Sequence, residues 1–221
     1  METIEYQLRF IKTQDWAILL FAVSVIIVAV NRTLFSNKFF DFIRLAVSDK
    51  YIRTYKNPSN ISNGFTIGFL AIHLINVSFF ILIILSYFDV KSKFDFIAYI
   101  QIFTLFTAYT ACKFLIEKIV SNTFEIDSFT NSFLLSKINY KNFLGFILIP
   151  INLLFYFNPH INTVILYSVV SLIVLINLIS YFTIIKLNQS SIGNKIFYFI
   201  LYLCTLEIAP YYFIYYLITN K

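Results

Sequence analysis

Residues 78–88 read SFFILIILSYF, and residues 171–180 read SLIVLINLIS. Neither stretch alternates apolar with polar side chains, as a lipid-facing barrel strand does over about ten residues. Neither contains glycine or proline, and the whole chain holds only 4 of each. An unbroken apolar run without turn signals reads as helix, and one of roughly 17–25 residues can cross a bilayer. Working outward from these two stretches, six such runs follow one another: about 16–35, 61–88, 95–116, 143–157, 163–186 and 195–218. The sequence therefore predicts an all-α integral membrane protein in a single domain, 1–221. It is a bundle of about six transmembrane helices, with one or two interfacial amphipathic helices in cytoplasmic loops.

The composition points the same way. The 221 residues are 59% hydrophobic, 20% aromatic and 13% charged. Soluble domains run at roughly 45–50% apolar and about 25% charged, and a water-soluble fold could not cover so much apolar surface. A signal peptide carries positive charge before its apolar core and a small-residue cleavage site after it. Here the residues before Trp16 are mixed in charge, and Arg32 and Lys38 follow the run. The first helix is expected to be retained.

Lysine and arginine set the expected orientation, because loops rich in them stay cytoplasmic. One side would carry Arg9, Lys12, Lys91, Lys93 and Lys221, which is five. The other would carry Arg32, Lys38, Arg44, Lys50, Arg53, Lys56, Lys113, Lys118, Lys137, Lys141, Lys186 and Lys195, which is twelve. Both termini are thus predicted on the outer side, and the net charge of +6 calls for no nucleic-acid partner.

Two inner loops are longer than a turn requires. In residues 36–60, Phe39, Phe42, Ile43, Ala46 and Val47 share one helical face, with Lys38, Arg44 and Lys50 elsewhere. That pattern suits a helix in the membrane interface with its bases near anionic lipid headgroups; a membrane-protein partner could dock on the same surface. Residues 117–142 gather Glu117, Glu125 and Asp127 before an apolar FLL. They lack the ligand spacing and central glycine of a calcium loop, and read as a solvated linker with a short interfacial helix.

Catalytic patterns are missing: there is no H-E-x-x-H, no G-x-S-x-G and no phosphate-cradling glycine loop. His73 and His160 lie at incompatible depths for a bis-histidine haem, and Cys112 and Cys204 fall in apolar helices without metal-ligand spacing. No metal and no cofactor is expected.

What remains is a set of polar residues inside apolar runs. Glu207 lies about twelve residues past Lys195 and His73 about twelve past Ile61. At about 1.5 Å per residue the two side chains should sit at similar depth. A charge at the bilayer centre costs at least about 2.5–3.5 kcal/mol, so Glu207 should face the bundle interior. Two readings stand. With His73 and Asn76 nearby, Glu207 could form a proton- or cation-linked site. As a neutral carboxyl it could instead bond another helix, or the Leu206 carbonyl that Pro210 leaves without its donor.

Other positions read as packing. Gly64, Gly68 and Ala71 share one face of the second run, allowing close approach of a neighbour. Thr66, His73 and Asn76 lie on the other side. Thr104, Thr107, Ala108 and Ala111 give the third run a small-residue stripe, and Lys113 can reach the headgroups or pair with Glu117. Pro150 and Asn152 could mark a kink beside a cavity, and Tyr211, Tyr212, Tyr215 and Tyr216 an outer aromatic belt.

The run FYFILYLCTLEIAPYYFIYYL, residues 197–217, resembles the closing segment of an uncharacterised family of polytopic inner-membrane proteins from Bacteroidota, a domain of unknown function. The likeness centres on YLCTLEIAP, with Cys204, Glu207 and Pro210, and extends to DWAILL (15–20) and LGFILIPINLL (144–154). It implies a bacterial inner membrane and supplies no reaction, cofactor or catalytic residue. The functional expectation is a non-enzymatic subunit or assembly factor of a cell-envelope complex. A small-solute or proton-linked transporter using Glu207 is the alternative, and a lipid-modifying membrane enzyme the third.

Overall fold

A computed structural model describes residues 15–46, 50–55, 63–123, 127–158 and 162–187. They form α1 (Asp15–Leu34), α2 (Ser36–Ile43), a 3-10 turn (Arg44–Ala46), α3 (Lys50–Thr54), α4 (Gly64–Tyr87), α5 (Phe96–Thr123), α6 (Asp127–Phe157) and α7 (Thr163–Leu187). No strand occurs among the described residues. Five of the helices, α1, α4, α5, α6 and α7, are long and apolar enough to cross a membrane. The sixth apolar run, 195–218, lies outside the described residues, and Cys204, Glu207, Pro210 and the tyrosines after it lie there too.

Local chemistry starts these helices where it should. The Asn63 side chain accepts a hydrogen bond from the Phe65 N–H at the head of α4. Asp95 accepts from the N–H groups of Ile97 and Ala98 at the head of α5, and Asn162 from Val164 at α7. Short polar side chains in these positions satisfy N–H groups that have no partner within the helix.

Helix α4 is the centre of the bundle. It packs most extensively along α6 and also touches α5 and α1, while α7 rests on α6. One apolar cluster joins Ala17 and Phe21 of α1, Phe79, Leu82 and Ile83 of α4, and Leu148, Phe155 and Tyr156 of α6. A second lies toward the other end, around Phe65, Phe69 and Ile72 of α4.

The structure differs from the sequence reading in two places. The stretch 117–142 is not mainly a linker: α5 continues to Thr123 and α6 begins at Asp127, well before 143. One of the three acids that made the stretch look solvated is neutralised within the bundle. Glu117 of α5 and Lys137 of α6 meet at 2.8 Å with both side chains buried. In the first loop, Phe39 and Phe42 of the face expected to rest on lipid are docked on protein, while Ile43 stays exposed. Phe42 lies 4.5 Å from Phe69, 5.5 Å from Phe65 and 5.8 Å from Phe143, ring to ring. Phe39 packs beside Phe69 and Phe146.

Candidate functional site

The α4–α6 seam is polar. Asn142 donates from Nδ2 to the Thr66 carbonyl at 3.1 Å, and Asn152 donates from Nδ2 to the Asn76 carbonyl at 2.8 Å. Both bonds span the same offset of 76 residues. The two helices therefore run parallel and in fixed register, with rungs about 15 Å apart. Between the rungs α6 places Gly145 against the backbone of His73, where a Cβ would collide with the His73 Cα. Only glycine permits this approach. The close contact and the asparagine bonds tie the two helices together.

The network extends to α1. The Asn76 Nδ2 also donates to Ser24 Oγ at 3.4 Å, and Ser24 Oγ donates to the Leu20 carbonyl at 3.0 Å. Asn31 of α1 sits where a Cβ on Gly68 would collide with its side-chain amide, and Gly64 faces the ring of Phe35. Gly68 of α4 thus receives α1, while α6 bonds the backbone of Thr66 and Asn76 and packs Gly145 on His73.

The His73 ring is buried, 6.0 Å from the ring of Phe106 on α5, and donates to the backbone carbonyl of Lys141. Among the described residues nothing bonds its Nδ1, nor the Oδ1 of Asn142 or of Asn152. The amide donors of the seam are spent and several acceptor lone pairs are left. Such a seam can take a donor, whether a water or a protonated group. Among the described residues no group of three histidine, cysteine or acidic side chains could hold a metal ion.

At the opposite end of α4 from α2 and α3, the 88–95 loop is tied down by a cation. Lys93 is buried, and its Nζ donates to the carbonyls of Phe155, at 3.3 Å, and Asn158, at 2.7 Å. It caps the C-terminus of α6, where a positive charge meets the negative end of the helix dipole. Burial pushes its pKa below the usual lysine value. Trp16 donates from Nε1 to the Phe94 carbonyl, and Tyr87 donates to Thr163 Oγ1 at 2.8 Å.

The structure thus brings His73 and Asn76 onto one seam, while Glu207 lies outside the described residues. Pro150 sits within a continuous α6 and faces outward, and Asn152 is fully buried in a helix contact. Sequence reading missed Asn142, Gly145, Lys137, Ser24 and Asn31. One signal was there: Asn142 and Asn152 have the same spacing along α6 as Thr66 and Asn76 along α4.

These features define a helical protein with five membrane-length helices, three of them joined through buried side-chain amides. The chain belongs to the family described as a domain of unknown function, DUF4271, whose model matches residues 17–218. No curated protein and no solved structure matches it.

Proposed function

We propose that this chain is a multi-pass protein of a bacterial inner membrane, with six spans and both termini outside, and that it serves as a non-enzymatic subunit or assembly factor of a cell-envelope complex. The observation that carries the reading is the use of the buried polar groups. Asn76, Asn142, Asn152, Ser24, Glu117 and Lys137 all bond between helices or within their own helix. That is the pattern of polar side chains serving as helix glue. Lys93 supports the orientation, since as a helix cap it is not a free cation of the outer loop. The test is to remove the chain and measure the envelope proteins it cross-links to in cells. A partner at fixed stoichiometry whose level falls on deletion is expected. A chain that purifies alone, and whose loss changes the level of no membrane protein, would sink the idea.

A second reading, proton-linked transport, is favoured by the open acceptors at His73 Nδ1, Asn142 Oδ1 and Asn152 Oδ1. Glu207, at the depth that residue counting gives His73, would be its titrating group. In proteoliposomes Glu207→Gln and His73→Phe should each abolish pH-dependent flux; unchanged flux rejects this reading.

A further inference from the structure

Helix α2 has two apolar edges, and only one is used by the bundle. Phe39 and Phe42 are buried against α4 and α6, whereas Phe40 is 57% exposed and Ile43 41% exposed on the outward edge. Leu34, at the end of α1, is 69% exposed. Arg44 follows Phe40 by one helical turn, and Arg32 lies in the last turn of α1; both are exposed. Among the described residues no acid pairs with either arginine. The acid on α2 itself, Asp41, is engaged by Lys50 at 3.5 Å and by the Tyr55 phenol.

The depth of this edge follows from its contacts. Phe42 packs on Phe65 and Phe69, which lie within about 2–8 Å of the start of α4 at 1.5 Å per residue. An amphipathic helix that rests in a membrane interface buries its apolar face by about 5–10 Å. The exposed Phe40 and Ile43 therefore stand near the acyl boundary, with Arg44 one turn past Phe40 and Arg32 in the last turn of α1. A guanidinium presents a planar fork of donors that matches a phosphate.

We infer that the outward edge of α2, with the last turn of α1, seats the phosphate headgroups of anionic lipids through Arg32 and Arg44. Phe40, Ile43 and Leu34 lie in the acyl boundary beside them. The inference rests on the membrane reading above and is independent of the subunit role. Because the inner edge of α2 is docked on the bundle, the site is held rigidly and does not form only on contact with lipid.

The test uses the full chain in neutral detergent, equilibrated with equimolar phosphatidylglycerol and phosphatidylcholine, with retained lipids counted by native mass spectrometry. The wild type should retain phosphatidylglycerol in excess. The double variant Arg32→Gln, Arg44→Gln should lose roughly fivefold of that ratio per arginine, the equivalent of about 1 kcal/mol per basic residue near a membrane surface. The Arg32→Lys, Arg44→Lys pair should keep most of it, which separates lost charge from a damaged fold. Absence of a preference in the wild type, or an unchanged ratio in the glutamine variant, overturns the inference. So does abolition of the preference by inorganic phosphate at constant ionic strength, or an acidic protein retained in place of lipid. A chain that fails to enter phosphatidylcholine vesicles sinks the membrane reading as well, whereas entry without preference sinks the lipid site alone.

Discussion

Helices α4 and α7 are near twins as sequences and opposites as structures. Their membrane-length spans are 24 residues each, with mean hydropathies of 2.5 and 2.3, yet half of α4 is buried against 11% of α7. Their polar side chains are used differently. On α7, Ser168, Asn177, Ser180 and Thr183 each donate to the carbonyl four residues back on their own helix. On α4, Ser78 and Asn76 also donate to the carbonyl four residues back, but Asn76 Nδ2 reaches Ser24 of α1 as well, and the Asn76 carbonyl receives Asn152 of α6. A polar residue in an apolar helix has two ways to be satisfied, by its own backbone or by a neighbour's. Only the second holds a bundle together.

That contrast can be broken by substitution, with unfolding followed in mixed micelles. The largest effect is expected where the contact between helices carries charge. Glu117→Ala leaves the Lys137 ammonium buried beside a void, and losing one member of a buried pair costs about 3–5 kcal/mol. The double replacement Glu117→Leu, Lys137→Met should recover most of that loss. Equal instability of the single and double variants would show that the pair does more than neutralise itself.

Next comes Gly145→Val, which drives a side chain into the His73 backbone. Overpacking costs about 1–3 kcal/mol, occasionally more, and here the neighbour that must yield is main chain. Gly68→Val should cost less, because it meets the end of the Asn31 side chain, which can swing aside. A reversed order would mean that the α1 contact, and not the α6 contact, sets the register of α4.

The smallest effects sharpen the comparison itself. Asn152→Leu removes a bond between helices, worth on average about 0.6 and at most about 1.7 kcal/mol in a membrane protein. Asn177→Leu removes only a bond to its own helix and should stay within about 0.5 kcal/mol of zero. Equal costs for the two would erase the distinction between α4 and α7.

Much of the scaffold was legible from the residues. The runs at 16–35, 61–88 and 163–186 coincide with α1, α4 and α7 to within a few residues, because length and apolarity are properties of one segment. The reading failed where two segments compensate each other. Glu117, Glu125 and Asp127 made 117–142 look like a linker, since a local reading sees the charge of Glu117 and cannot see its partner Lys137 twenty residues away. It was incomplete on α2, whose apolar face was assigned to lipid as a whole, although Phe42 of that face meets a protein surface of Phe65, Phe69 and Phe143. The seam was half legible. His73 and Asn76 stood out as polar residues in an apolar run, but α4 is apolar around its whole circumference and gives no sign of which neighbour it meets.

The sequence alone determined that five described helices are long and apolar enough to cross a membrane, because transfer from water to lipid adds up residue by residue along one helix. The tertiary structure alone decided that α4 and α6 run parallel, that Gly145 meets His73, and that Asn142 and Asn152 of α6 donate to α4 while Asn177 of α7 donates within its own helix. Those outcomes depend on the relation between segments 76 residues apart. A hydrogen bond that either of two carbonyls could accept is settled by which backbone lies within reach.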